Sequence, residues 1–159
     1  MKKNGLKAYV IIPAYNEEAN IKGVIEGIPR SINGIDCVEI LVIDDGSNDN
    51  TVQVAKDAGA DEIISHPTNK GLGAAFRTGL DASLEKNADI IVGIDADGQF
   101  NPKDIPKLIE PILNNEADFV TASRFIDKSF EPDMQFIRKF GNKILIKIIN
   151  ILTNQEFTD

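Results

Sequence analysis

Five short apolar runs, each separated from the next by a helix-length segment, constrain this chain to an alternating α/β architecture. The first, Ala8–Ile12, is nearly continuous and ends at Pro13, as suits a strand buried on both faces. Val38–Ile43 is the second and Glu62–Ser65 the third. Ile90–Ile94 is the fourth and Asp118–Ala122 the fifth. Between them, Ile21, Val24, Ile25 and Ile28 recur at helical spacing until Pro29, with Asn16 expected as cap and Glu17 and Glu18 in the first turn. A short helix is expected from Thr51 to a stop at Gly59. Gly71 to Glu85 reads as a helix with Leu72, Ala75, Gly79 and Leu80 on one face. Asn101 and Pro102 form a natural helix start, and Pro106 and Pro111 make that helix irregular. Strands alternating with helices predict a layered α/β fold around a mostly parallel sheet.

In such sheets ligands sit beyond the carboxyl ends of the strands. Pro13 to Glu17 follow the first strand, Asp44 and Asp45 the second, Asp95 and Asp97 the fourth, and Ser123 and Arg124 the fifth. Four separate segments therefore converge on one edge. Asp95-Ala96-Asp97 carries the strongest chemical hint. Two carboxylates at this spacing just past a strand can reach one cation, and carboxylate oxygens suit Mg²⁺ or Mn²⁺ bridging to substrate phosphates. Gln99 could add a side-chain oxygen. The same acids do not make a helix–loop–helix calcium loop, whose sixth and twelfth positions require Gly and Glu. Counted from Asp95 those positions hold Phe100 and Pro106, and counted from Asp45 they hold Asn50 and Lys56. Asp44-Asp45-Gly46-Ser47 reads either as a tight turn or as a strand-end carboxylate facing a nucleoside. Asn69-Lys-Gly-Leu-Gly73 lacks the spacing of a P-loop and of a dinucleotide fingerprint. His66, the sole histidine, stands before Pro67 and reads as a bystander, so no histidine-based triad is in view.

Composition narrows the remaining classes. A formal net charge of −8 argues against a nucleic-acid surface. The single cysteine, Cys37, permits no intrachain disulfide and points to a reducing, cytoplasmic setting. No stretch reaches the roughly 18 apolar residues of a membrane span. Past Phe125 the pattern changes. Asp127 to Gln135 is polar and reads as a loop. Phe136, Phe140, Ile144, Ile148 and Ile151 then form an apolar stripe, with Lys143, Lys147 and Asn150 elsewhere, as in an amphipathic helix. That helix could pack on its own domain, pair with a copy of itself or lie on a membrane surface. The chain thus divides into a core of residues 1–125 and a tail of residues 126–159.

The segments Val10–Glu18, Val42–Asp49, Asn69–Ala75, Asp95–Gln99 and Ala122–Phe125 occur together in the order and spacing of glycosyltransferase family 2. Within that family the chain most resembles the dolichyl-phosphate mannose synthase and polyprenyl-phosphate glycosyltransferase branch. The resemblance runs over essentially the whole chain, and its five motifs are jointly specific. It implies a GT-A fold, a Rossmann-like three-layer sandwich around a mostly parallel mixed sheet. It implies inverting transfer from a nucleotide-diphosphate sugar of the GDP-mannose or UDP-glucose type. Pro13, Ala14, Tyr15, Glu17, Asp95 and Ala96 would line the nucleotide pocket, with Asp44 on the nucleoside. Asp95, Asp97 and Gln99 would hold Mg²⁺ or Mn²⁺, and Arg124 would face the phosphates, making Asp97 and Arg124 the catalytic pair. Ala122 replaces the family's Gly before Ser-Arg. Arg138 and Asn142 fall where this branch places groups for the acceptor phosphate, Asn142 standing where Ser is common. The expected partner is a lipid phosphate at the cytoplasmic face of a membrane.

The resemblance also implies that the chain is a fragment. Asp159 matches the first residue of an Asp-x-x-Ser-Gly stretch that leads into further acceptor-side structure. The Gln-x-x-Arg-Trp motif of processive synthases does not occur, and the chain has no Trp. A lipid phosphate is already anionic and needs no strong general base, whereas a sugar hydroxyl acceptor does. Transfer to a glycan hydroxyl, and nucleotide-sugar binding without turnover, stay open as alternatives. A nucleotidyltransferase would carry a glycine-rich basic signature close to the first strand, which here leads into Pro13-Ala-Tyr-Asn-Glu17.

Overall fold

A computed structural model of the chain describes residues 5–122 and 144–150. The chain falls into two units, Met1–Asp118 and Phe119–Asp159. The first unit runs β1 (Lys7–Ala14), α1 (Ile21–Gly27), β2 (Cys37–Asp44), α2 (Thr51–Asp57), β3 (Glu62–Ser65), α3 (Leu72–Glu85), β4 (Ile90–Gly93), a 3₁₀ turn (Pro102–Asp104) and α4 (Ile105–Leu113).

The four strands form one sheet in the order β3-β2-β1-β4, and every pairing is parallel. The antiparallel member of the expected mixed sheet is not among the described residues. β1 is central, and all of its residues after Lys7 are buried. Alternate side chains point to opposite faces, which splits the core in two. Ala8, Val10 and Ile12 join Ile40, Val42 and side chains of α1, α2 and α4 on one face. Ile11 joins Leu41, Ile43 and Ala75 of α3 on the other. The result is a three-layer sandwich. β1 runs two residues past the sequence expectation and includes Pro13. Ile11 O accepts Ile94 N, so Ile11, and Pro13 two residues on, turn their backbone groups toward β4. Pairing on that side has already ended at Ile11 and Gly93, so the missing proline N–H leaves no gap in the ladder.

α3 lies on the sheet through small residues. Ala75, Gly79 and Ser83 are its buried positions, and Ser83 Oγ donates to Gly79 O at 2.8 Å. A Cβ on Gly79 would stand 2.4 Å from Ile11 Cγ2, so the helix is seated against the central strand at a distance only glycine allows. Leu72, expected on the same buried face, is instead 64% exposed. It is the first residue of a helix that returns antiparallel to the strands, so it overhangs the sheet's carboxyl edge.

Other expectations change similarly. α1 starts at Ile21 with Asn20 in the cap position, while Asn16 takes a positive φ of 55° and caps nothing. Asn101 does cap, its side chain accepting from Lys103 N at 3.2 Å, and the prolines resolve the following segment into the 3₁₀ turn and α4. Residues 118–122, expected as a fifth strand, have no regular structure. Phe119 is 78% exposed, and among the described residues no strand pairs with this segment to repay its ordering. In the second unit residues 144–150 are helical, as the apolar stripe predicts, while Phe136, Phe140 and Ile151 lie outside the described residues. Among the described residues no helix is long and apolar enough to cross a membrane.

Gly79→Ala should destabilise the protein by about 1–3 kcal/mol, the usual cost of overpacking. Gly73→Ala, in the same helix with nothing within 4 Å of the added carbon, should not destabilise it. Denaturant midpoints of the two variants make the comparison.

Candidate functional site

The chain adds β2 and then β3 on one side of β1 and crosses to the other side for β4. The strand order therefore reverses between β1 and β4, the place where a parallel sheet of this kind receives ligands beyond the carboxyl ends of its strands. A cleft of about 270 Å³ occupies it. The end of β1 contributes Pro13, Ala14, Tyr15 and Glu17, and β2 is followed into the cleft by Asp45. Leu72 and Ala75 of α3 form another wall, and Asp95, Ala96 and Asp97 enter after β4. Seven positions expected around a nucleotide or metal thus meet in one cavity.

The loops after β1 and β2 are laced together. Asn16 N donates to Ser47 Oγ at 2.9 Å, and Asn16 Oδ1 accepts Asn48 N at 2.9 Å. Glu17 N donates to Thr51 Oγ1 at 2.8 Å, and Glu18 N to Asp49 Oδ2 at 3.2 Å. Glu18 returns a bond, its Oε2 accepting Asn50 N at 2.9 Å. Asp49 Oδ1 accepts Thr51 N at 3.0 Å and also the Thr51 hydroxyl. Burial would raise the Asp49 pKa, but the hydrogen bonds from Thr51 and from backbone amides outweigh it and hold the carboxyl below its usual range. The positive φ at Asn16 is the conformation that lets this side chain reach the second loop. Tyr15, 43% exposed, and Glu17 are thereby held over the cleft by backbone whose partners lie more than thirty residues away.

Asp44 and Asp45 divide their work. Asp44 is the last residue of β2, is buried, and accepts Ser47 N at 3.0 Å on Oδ1. It is Asp45, not Asp44, that lines the cleft. Asp45 is also buried, yet its carboxylate gathers donors on both oxygens. Oδ1 takes His66 Nδ1 at 2.7 Å and Lys70 N at 2.9 Å. Oδ2 takes Lys70 N at 3.1 Å and Gly71 N at 2.7 Å. Burial pushes the Asp45 pKa up, but the His66 hydrogen bond, the two amides and the attraction of the imidazole together bring it below the usual carboxylate range. His66 Nε2 lies 2.9 Å from Thr78 Oγ1 on α3. Gly46 makes the crossing of these segments feasible. Its φ is 78°, and a Cβ there would stand 2.7 Å from the Thr68 carbonyl carbon. With its oxygens occupied this way, Asp45 organises the wall rather than offering a ligand.

The acids after β4 differ from this. Ala96 is buried and holds the turn, while Asp95 and Asp97 border the cleft on either side of it. Asp97 Oδ1 accepts Gln99 N at 2.9 Å, which closes the turn over Gly98. Gln99 is exposed and does not line the cleft. Among the described residues no group of three or more His, Cys, Asp or Glu side chains is gathered tightly enough to hold a metal. Asp95 and Asp97 are the two carboxylates that follow β4 into the cleft. Two carboxylates with no nitrogen or sulfur donor fit Mg²⁺ or Mn²⁺, which keep few protein ligands. Arg124, Arg138 and Asn142 lie outside the described residues.

The sequence assigns no functional role to Asp49, Thr51 or Thr78, and His66 reads there as a bystander. Only the Asp-Asp tandem at the end of β2 offered a signal, because consecutive residues at a strand's end cannot share one environment. Because folding lowers the Asp45 pKa below its unfolded value, its stabilisation is whole above that value and is lost as pH falls through the lower native one. Asp45→Asn should therefore lower stability at neutral pH, and the gap to the unsubstituted protein should narrow only below about pH 4, near the ordinary Asp pKa. Denaturant titrations across the acid range measure that gap.

Known proteins agree with the architecture. The glycosyl transferase family 2 profile matches residues 9–158. The chain is 37% identical over 167 residues to a UDP-N-acetylglucosamine–dolichyl-phosphate N-acetylglucosaminyltransferase of Methanococcus voltae, covering 95% of this chain and 65% of that protein. It is 34% identical to a dolichol-phosphate mannosyltransferase of Pyrococcus furiosus, covering 90% of this chain and 40% of that protein. It thus spans only part of the length of the curated relatives it matches. Glucosyl-3-phosphoglycerate synthase from Mycobacterium tuberculosis, solved in complex with Mn²⁺, uridine-diphosphate and glucosyl-3-phosphoglycerate, aligns with a TM-score of 0.57 at 33% identity. That alignment covers 70% of this chain and 41% of the synthase. The fold is GT-A, and the chain belongs to glycosyl transferase family 2.

Proposed function

We propose that this chain is the donor-binding part of an inverting glycosyltransferase that moves a sugar from a nucleotide diphosphate to a polyprenyl or dolichyl phosphate. The observation that carries the reading is the meeting of Tyr15, Glu17, Asp95 and Asp97 in one cleft at the point where the sheet changes direction. The relatives support the acceptor class, since two of them are named for transfer to dolichol-type phosphates. The nucleotide lies along the end of β1, with Tyr15 and the backbone of Pro13 and Ala14 as its floor. Asp95 and Asp97 would hold a divalent cation, with the Gln99 side-chain oxygen as a further donor implied by the family motif. Such a cation neutralises charge that builds on the departing nucleoside diphosphate. Arg124, by its place in the family motif, faces the same phosphates.

The reaction is a single displacement. An acceptor phosphate oxygen forms the new bond to the anomeric carbon as the bond to the diphosphate oxygen breaks, and the electron pair leaves with the nucleoside diphosphate. Because that acceptor is anionic, the chain needs no general base for it, and catalysis reduces to alignment and charge stabilisation. By their place in the branch's pattern, Arg138 and Asn142 would receive the acceptor phosphate, and a lipid phosphate would bring the working protein to a membrane surface. A second reading, a hydroxyl acceptor, draws on the similarity to glucosyl-3-phosphoglycerate synthase, whose complex contains the sugar on phosphoglycerate. UDP appears in the names of both a relative and that complex, which favours a uridine donor over a guanosine one.

Thermal denaturation with UDP, GDP and their sugars, each with and without Mn²⁺, tests donor binding. A nucleotide at a hundred times its dissociation constant should add about 2.7 kcal/mol of stability. The shift should require the metal and vanish in Asp97→Ala. Incubation with labelled donor and either a polyprenyl phosphate or 3-phosphoglycerate then separates the acceptors. Label in the organic phase supports the lipid phosphate, and label in the aqueous product supports the hydroxyl. A metal-dependent shift without transfer to either would reduce the chain to a binding module.

A further inference from the structure

We infer that His66 is a positioning residue of the donor cleft: through Asp45 it fixes the Lys70–Gly71 backbone and with it the Leu72–Ala75 wall. The inference rests on reading the cleft as the donor site. No part of the family resemblance assigns a role to this histidine. Its imidazole is buried and bridges Asp45, after β2, to Thr78, in the middle of α3.

The mechanical argument has three parts. The middle of α3 is already immobile, because Gly79, the neighbour of Thr78, is seated on Ile11 and Ile43. The start of α3 has no side-chain cap, since Gly71 stands in the cap position and supplies none. That start is held by the Asp45 carboxylate on Lys70 N and Gly71 N, with Asn69 Oδ1 also accepting Gly71 N at 3.0 Å. The two amides engage both oxygens of that carboxylate, and His66 Nδ1 at 2.7 Å from Oδ1 adds a third donor that further restricts its rotation. An ionised carboxylate only accepts, so Nδ1 carries the proton toward Asp45, and Nε2 shares a hydrogen bond with the Thr78 hydroxyl, which can serve as donor or acceptor. The ring is thus oriented at both ends, and its orientation is passed to Asp45, to the amides, and to Leu72 and Ala75 on the cleft wall.

Two near-isosteric substitutions separate the ring's ends. The amide nitrogen of Asn reaches the place of Nδ1, and that of Gln the place of Nε2. His66→Asn therefore keeps a donor for Asp45, while His66→Gln keeps only the Thr78 end, and His66→Ala keeps neither. Each is measured on the full chain after its circular dichroism matches the unsubstituted protein. The first readout is the pair of amide signals of Lys70 and Gly71 in proton–nitrogen spectra, with their exchange rates. The second is the dissociation constant of UDP and of GDP with Mg²⁺.

The expected result is that His66→Gln and His66→Ala move both amides and speed their exchange, while His66→Asn returns them most of the way. Nucleotide affinity should fall by about tenfold in the first two, the lower end of what losing an outer hydrogen-bond partner costs a binding site, and recover in His66→Asn. Unchanged amides in His66→Gln and His66→Ala, or Asn and Gln variants that behave alike, overturn the inference. So does displacement of the amides with affinity intact, which would make His66 a purely structural buttress. If the unsubstituted protein binds neither UDP nor GDP, the donor reading fails by itself, and the amide signals alone then decide whether His66 sets the α3 wall.

Discussion

Burial of β1 between β2 and β4 is the constraint on which the site depends. A strand with neighbours on both sides and helices on both faces must be apolar along its length, and Ala8 to Ile12 are. Once that strand is central, the sheet can grow away from it in only two directions, and the chain uses both. The residues that follow β1, β2 and β4 are then delivered to one edge whatever their identity. Polar groups at that edge lie at or past the end of the ladder, and the buried ones, Asp44 and Asp45, are met by hydrogen-bond donors there. This is why a cluster of carboxylates can coexist with a well-packed apolar interior.

Edge loops delivered in this way would be mobile without further bonds, since they carry few apolar contacts. The chain restrains them with carboxylates and amides that meet across the edge. Asn16, Glu18, Asp49 and Thr51 join the loops after β1 and β2, and Asp45 with His66 joins the loop after β2 to the start of α3. Each such bond contributes on the order of 1 kcal/mol net, somewhat more where a charge is involved. Their larger effect is geometric. Asp45, with both oxygens engaged, serves the loops, whereas Asp95 and Asp97 border the cleft, Asp97 with one oxygen on the Gln99 amide. The −8 net charge thus conceals a division between acids that hold loops and acids that border the cleft.

The elements were largely legible in the sequence because their signals are local. β3 begins and ends where the apolar run does, and α3 stops at Glu85 as its pattern does. The carboxyl-edge convergence followed from the alternation alone. The failures are equally physical. Asn16 looked like a cap because capping propensity ignores long-range partners, and its side chain is taken by Asn48 instead. Leu72 has the right helical phase for burial but overhangs the sheet, and phase does not report where a sheet ends. Asp118–Ala122 has strand-like composition, and a strand also needs a neighbour. His66 was set aside as a bystander because its partners, Asp45 and Thr78, stand far off in the sequence. The separation of Asp44 from Asp45 depends on which carboxylate finds the Lys70 and Gly71 amides, a tertiary fact with no local signature.

The central claim is that a metal–nucleotide complex occupies the edge cleft between β1 and β4. Paramagnetic broadening by Mn²⁺, added with UDP to the isotopically labelled chain, tests it most directly, because the effect falls steeply with distance from the ion. The account predicts that the amides of Asp95 to Gln99 and of Tyr15 broaden first, and that Gly59 and Asn87, at the opposite end of the sheet, stay sharp. Broadening centred elsewhere, or none at all in the folded chain, would contradict it.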